Sequence, residues 1–240
     1  MKHPWIVLAA FVGVSFAGPA TAAVYDAAAD FSTASNPNGV WTYGRGTIGS
    51  FTPLSHSTSF TALAGTVTFD EWGTAGGPFL TPSIFANHTA SVLDPSYDAV
   101  TFANLSVPVG FAGVHPGPSA SFLLQFTAPV TSAYNYSIDV RRADMRPAGD
   151  GVGATVVAGA STLLARTVLP AVFGSSTTAT GTIALNAGDT VFIEIDPNTE
   201  FTFDSTAFAA TFTTVDVPEP ASALVLATGL GLLGWGRKRR

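Results

Sequence analysis

Ala133-Tyr-Asn-Tyr-Ser-Ile-Asp-Val-Arg141 alternates without a break: Tyr134, Tyr136, Ile138 and Val140 interleave with Asn135, Ser137, Asp139 and Arg141. Successive side chains of a strand point to opposite faces, so this pattern predicts a β-strand with one face buried and the other in water. Thr190-Val-Phe-Ile-Glu-Ile195 follows the same logic, after the turn Asn186-Ala-Gly-Asp189. Further strands are predicted over residues 60–69, 100–107, 121–127, 154–158, 162–168, 178–185 and 206–215. Turn chemistry separates them at Pro116-Gly117-Pro118, Gly149-Asp-Gly151, Gly174-Ser-Ser176 and Asp196-Pro-Asn198. No part of the body supports a helix longer than a turn or two. Many short strands rich in Thr, Val and Phe predict an all-β fold, with two antiparallel sheets packed as a sandwich or jelly roll.

The composition agrees. With 240 residues, 47% hydrophobic and 11% charged, the chain has material for one sizeable core and too few Lys, Glu and Arg for a helix-rich protein. Between Val24 and Val217 there are five arginines, no lysine and fifteen carboxylates, a net charge of -10. A body so acidic lacks the basic footprint of nucleic-acid binding. It contains no cysteine, so packing rather than disulfides must hold it.

Both ends differ from this body. At the start, Lys2, an apolar run from Trp5 to Phe16, the helix breaker Pro19 and the small residues Ala20-Thr21-Ala22 have the form of an export signal. Cleavage is expected after Ala22, with Ala23 the next choice. At the other end stand Val217, Pro218, Glu219 and Pro220, then sixteen uncharged residues from Ala221 to Gly236, then the four cations Arg237, Lys238, Arg239 and Arg240. As a helix the run would reach about 24 Å, short of the ~30 Å hydrocarbon core. Gly229, Gly231, Gly234 and Gly236 weaken it further. It is therefore a marginal span, whose basic end, Arg237 with Lys238, Arg239 and Arg240, is expected to stay on the cytoplasmic side as an anchor. Pro218 and Pro220 keep the approach extended and hold Glu219 where an enzyme can grip it. The expected organisation is a signal peptide over 1–22, a β-sandwich over 23–216 and a transmembrane sorting segment over 217–240.

This arrangement of Pro-Glu-Pro, a short Gly- and Leu-rich helix and a terminal basic cluster resembles the PEP-CTERM sorting signal of Gram-negative bacteria. The resemblance covers about 24 residues. It implies export, transient association with the inner membrane, and recognition by an exosortase. Removal of the helix would then deliver the protein to the cell surface or extracellular polymeric matrix. A permanent single-span anchor is the alternative, less suited to so weak a helix. A looser resemblance is carried by Asn36-Pro-Asn-Gly-Val-Trp-Thr-Tyr-Gly44, His115-Pro-Gly117, Ala187-Gly-Asp189 and Phe203-Asp-Ser-Thr206. These stretches are similar to exported bacterial β-sandwiches of the carbohydrate-binding or galactose-binding-like kind, which implies a surface or matrix role.

Within the body, Trp41 and Tyr43 stand two apart on an extended segment and share a face, which makes them either core packing, the commoner case, or a platform for stacking on a sugar ring. Asp139, Asp144 and Asp150 flank a Gly-rich turn and offer oxygen ligands for Ca²⁺, although without calcium-loop spacing. Arg141, Arg142 and Arg146 sit among them, which suggests local ion pairs or an anion-binding edge. His56, His88 and His115 are far apart and belong to no zinc-protease helix or nucleophile elbow. Glu194 and Asp196 are a same-face carboxylate pair of the type a glycoside hydrolase uses, and any β protein contains such pairs. The sequence thus points to a non-enzymatic exported protein with no catalytic residue and no required cofactor, either a structural matrix component without a defined ligand or a glycan-binding module with exopolysaccharide as its partner. A secreted glycoside hydrolase is the alternative.

Overall fold

The computed structural model describes residues 21–62, 67–75, 80–88 and 105–215. Residues 1–20 of the expected signal peptide, Ala20 included, lie outside the described residues. So does the expected sorting segment: the motif Val217, Pro218, Glu219 and Pro220, the apolar run, and the basic anchor Arg237, Lys238, Arg239 and Arg240. Every regular element among the described residues is a strand: β1 (Val24–Asp26), β2 (Trp41–Thr47), β3 (Ser50–Pro53), β4 (His56–Ala62), β5 (Val67–Gly73), β6 (Ser83–Ala86) and β7 (Ala112–His115) in the first half. The second half contains β8 (Ser121–Thr127), β9 (Ser132–Arg142), β10 (Val152–Ala158), β11 (Ser161–Leu169), β12 (Ser176–Leu185), β13 (Thr190–Asp196) and β14 (Thr206–Thr214). They form two antiparallel sheets, in the orders β12-β9-β14-β7-β6-β5-β4 and β11-β10-β13-β8-β2-β3. The all-β sandwich expected from the strand periodicity is the fold observed, and Ala23–Val215 form one compact unit.

Strand β9 shows how patterning sets the layers. Tyr134, Ile138 and Val140 are buried while Asn135, Ser137 and Arg141 are exposed, as the alternation requires. The alternation runs one residue further and brings Arg142 to the buried face as well. From the opposite sheet, β2 contributes Trp41 and Tyr43, β8 contributes Phe122, Leu124 and Phe126, and β13 contributes Val191, Ile193 and Ile195. Phe126 and Phe212 stack across the two sheets with centroids 4.2 Å apart and planes within 4°. A second, smaller core lies on the other face of the first sheet. Phe208 faces the main core, so its neighbour Ala207 faces away, and there it meets Phe69, Phe85, Leu105, Val107 and Ala143.

Strand β14 pairs along its whole length with β9, and its other side is shared. Thr206, Ala207 and Phe208 pair with β7, while Thr211, Phe212 and Thr213 pair with β1. The Ala23 N–H donates to Thr214 Oγ1 at 2.8 Å, and the Thr214 N–H donates to the Ala23 carbonyl at 2.9 Å. The two ends of the sandwich thus lie side by side on one strand.

Two expectations about strands need correction. The single strand expected over 60–69 is instead the end of β4 and the start of β5, with Phe60 opposite Phe69. A period of two is common to one long strand and to two hairpin arms, and only Gly65 hints at a break. Of the strand expected over 100–107, residues 100–104 lie outside the described residues, and Leu105 makes a single bridge to Asp144.

Candidate functional site

Trp41 and Tyr43 do share a face, but it is the inner one. They are 1% and 0% exposed. The Trp41 indole packs 5.2 Å from Phe126 and donates through Nε1 to Asp30 Oδ2 at 3.1 Å. Tyr43 packs against Phe31 at 5.2 Å, and burial pushes its phenol up to about 12. Neither ring is presented to solvent, so of the two readings of this pair core packing is the one observed and the sugar platform is not. Asn36 explains part of this placement. Its side chain donates to the Tyr43 and Leu54 carbonyls at 2.7 and 2.8 Å and accepts from the Tyr43 N–H at 2.9 Å, pinning β2 in place.

The charged groups gather instead where β9, β13 and β14 meet their loops. Arg142 and Asp204 each have fully buried side chains, with Arg142 Nη1 3.9 Å from Asp204 Oδ1. That distance is too long for a hydrogen bond. Arg142 Nη2 donates to the Ala148 carbonyl at 2.7 Å. Its Nε and Nη1 and both Asp204 carboxylate oxygens have no hydrogen-bond partner among the described residues. Burial pushes the Asp204 carboxyl up to about 8, against the downward pull of Arg142. Ion-pair chemistry is legible in the sequence around Arg141, Arg142 and Arg146. The burial of Arg142 is not, because arginine is among the residues least often enclosed.

The three acids considered for Ca²⁺ each turn to a different partner. Asp139 pairs with Arg141 on the outer face of β9. Asp144 holds Arg146 at 3.3 Å, and the Arg146 guanidinium lies 4.3 Å above the Phe203 ring. Asp150 accepts from Asn198 Nδ2 at 3.1 Å, the Thr199 N–H at 3.0 Å and the Thr199 hydroxyl. Burial raises the Asp150 carboxyl, yet the bonds from Thr199 and Glu200 outweigh it and leave its pKa lowered. Among the described residues, no three acids or histidines converge in a way that could hold a metal. The outer-face carboxylates of β13 are engaged too. Glu194 Oε1 accepts from the Ser121 hydroxyl at 2.7 Å, and Asp196 receives a two-pronged contact from Arg166 at 2.9 and 2.7 Å.

Beside the charged cluster is a cavity of about 200 Å³. It lies between β6, β7 and the segment leading into β14, and is lined by Thr81, Ser83, Phe85, Leu105, Val114, His115, Phe201 and Ser205. Ser83, Phe85, Leu105 and Val114 are buried and make its floor; Thr81, His115, Phe201 and Ser205 are partly exposed and make its rim. Ser83 and His115 are brought together by direct pairing of β6 with β7. Gly113 matters here, because a Cβ at that position would sit 2.4 Å from the Phe85 ring. Only glycine lets Phe85 lie against the strand and shape the floor.

His115 adds a defined polarity. Its Nδ1 lies 2.6 Å from the Pro116 carbonyl, which can only accept, so Nδ1 carries the proton and Nε2 is left as an acceptor. Burial pushes the ring below its ordinary value, against the Pro116 carbonyl and Asp144, so the imidazole is neutral at pH 7. Its edge meets Phe201 at 6.3 Å and 76°. In the sequence His115 stands out only as part of a Pro-Gly turn. Phe85, Phe201, Ser83 and Ser205 carry no local signal, since strand pairing alone assembles them.

The fold and this site define an antiparallel two-sheet β-sandwich with a cavity near one loop cluster that, among the described residues, no charged group lines. The tail adds the second step: residues 216–240 match the PEP-CTERM protein-sorting motif. The match spans Val217, Pro218, Glu219 and Pro220 at one end and Arg237, Lys238, Arg239 and Arg240 at the other, the two blocks that carry the resemblance in the sequence. It marks the chain as an exported protein addressed to an exosortase, processed at the membrane before release to the surface. No curated protein matches the chain. Among solved structures it is similar to CBM51 from Clostridium perfringens GH95 in complex with methyl-galactose, at 12% identity over 45% of this chain and 72% of that one, with a TM-score of 0.32. It is also similar to a family 35 carbohydrate binding module from Clostridium thermocellum, at 10% identity over 82% and 100% of the two chains, with a TM-score of 0.32. The C-terminal CBM6 of LamC from Zobellia galactanivorans is similar at 10% identity over 72% and 100%, with a TM-score of 0.26.

Proposed function

We propose that this protein is a non-catalytic, glycan-binding component of the cell surface or exopolysaccharide matrix, released there by exosortase cleavage near Pro218-Glu219-Pro220. The observation that carries the reading is the sorting motif over 216–240. A run of sixteen uncharged residues weakened by glycines suits a temporary tether, which holds the chain while the cut is made. Arg237, Lys238, Arg239 and Arg240 keep the end of that tether on the cytoplasmic side. Residues 1–22 serve as the cleaved export signal, and 23–216 are the part delivered. An interlocked aromatic core without disulfides suits a body whose work is to persist outside the cell. Its acidity favours uncharged polysaccharide over polyanions as the partner. The carboxylate pair that a hydrolase would need, Glu194 and Asp196, is committed to Ser121 and Arg166, which supports binding over turnover.

The test is retention of the producing cells' own polysaccharide by the immobilised protein, together with matrix cohesion in a strain lacking the gene. Retention without release of reducing ends is expected, with a looser matrix in the deletion strain. Steady release of sugar would make the protein a hydrolase, and no retention with unchanged cohesion would end the glycan reading.

A further inference from the structure

The cavity bounded by β6, β7 and the Phe201–Ser205 segment restricts what can enter it by size, charge and polarity. Resting on the glycan reading above, we propose that it binds the terminal residue of an uncharged polysaccharide, taking one pyranose ring end-on.

Size comes first. At about 200 Å³ the cavity is smaller than the roughly 300–1,000 Å³ of pockets that enclose drug-sized ligands, which leaves room for one ring. Among the described lining residues, Ser83, Phe85, Leu105 and Val114 are buried, so the way in passes the partly exposed Thr81, His115, Phe201 and Ser205. Room for one ring, reached past that rim, suits the end of a chain.

Charge comes second. Among the described residues, no carboxylate, guanidinium or ammonium lines the cavity. The buried charges Arg142 and Asp204 do not line it. His115 is held neutral, so it offers no compensation to an anionic sugar. A carboxylate entering here would be desolvated without a partner.

Polarity comes third. Phe85 and Leu105 present apolar surface, and Phe201 stands at the rim, a setting that suits the C–H face of a pyranose. The hydroxyls of Thr81, Ser83 and Ser205 can both donate and accept, while His115 Nε2 can only accept. A sugar hydroxyl, which donates and accepts, matches that set.

The test uses the full-length chain in zwitterionic detergent. It is titrated with the methyl glycosides of glucose, galactose, mannose and fucose, and with methyl glucuronide, read by saturation-transfer NMR and calorimetry. At least one neutral glycoside is expected to bind, and the glucuronide is expected not to compete. Ser205→Phe, which fills the rim, is expected to abolish binding. Phe201→Ala, which removes one face, is expected to weaken it up to about tenfold. Circular dichroism of both variants confirms that the sandwich is retained. Unchanged binding in both variants, or preference for the glucuronide, overturns the proposal. If the native polysaccharide is still retained while every monosaccharide fails, this site assignment falls and the broader glycan reading stands. If both fail, the two fall together.

Discussion

Replacing Trp41 by alanine separates a core role from a ligand-stacking role at the same residue. The indole is almost wholly enclosed, lies 5.2 Å from Phe126 and 6.1 Å from Phe212, and donates to Asp30. Truncating a buried aromatic of this size typically costs about 3–5 kcal/mol, because the removed contacts leave a cavity that the neighbours fill only in part. Asp30 Oδ2 keeps the Asp26 N–H as a donor, so the lost indole bond adds only a small increment. In a unit of 193 residues, each kcal/mol shifts the melting temperature by about 2–4 °C, and the expected fall is therefore roughly 6–20 °C. Thermal unfolding followed by circular dichroism measures it. Trp41→Phe, which keeps most of the packing, should recover more than half of the loss. Glycan retention by the fraction that remains folded should be unchanged. A melting temperature within about 2 °C of the parent, together with lost glycan retention, would refute the core assignment and restore Trp41 to the surface.

Asp204 makes stability depend on pH in a stated direction. Its carboxyl is raised to about 8, whereas an unfolded aspartate titrates near 3.9, so the folded protein holds a proton that the unfolded chain gives up. Stability attributable to this group is complete below about pH 4 and declines as pH rises to about 8. His115, lowered by burial, acts in the opposite sense below about pH 6.5 but is common to parent and variant. The advantage of Asp204→Asn over the parent in urea midpoint should therefore grow with pH up to about 8 and then level off; a difference independent of pH would contradict the raised value. Gly151 has φ +87°, and a Cβ there would approach the Leu169 carbonyl oxygen to 2.1 Å. Gly151→Ala should cost at least about 2 kcal/mol by urea denaturation. Gly159→Ala, at φ +55° with open space around it, should cost about 1 kcal/mol, and equal costs would argue against the tight β10–β11 approach.

How far the sequence could be read depended on the range over which each signal acts. Strands β9 and β13 declare themselves because seven or more residues alternate, and β14 because Phe208 and Phe212 recur on one face. Strands β1, β3, β6 and β7 have only three or four residues each, too few for a period to emerge. Periodicity also placed Trp41 and Tyr43 on one face without saying which face was inside. That depends on β8 lying beside β2 and on the first sheet covering both. The cavity was out of reach for the same reason, since its lining comes from residues 81–85, 105–115 and 201–205, joined only through sheet pairing. The sorting motif was readable because its signal is contiguous: Pro-Glu-Pro, an apolar run and the cations Arg237, Lys238, Arg239 and Arg240 within 24 residues.

Intact-mass spectrometry of the native protein recovered from outside the cell tests export and processing at one stroke. The expected species begins at Ala23 and ends at or near Pro218-Glu219-Pro220, without Trp235, Arg237, Lys238, Arg239 or Arg240. Recovery solely of uncut chain from the inner membrane, Trp235 and Arg240 included, would contradict it.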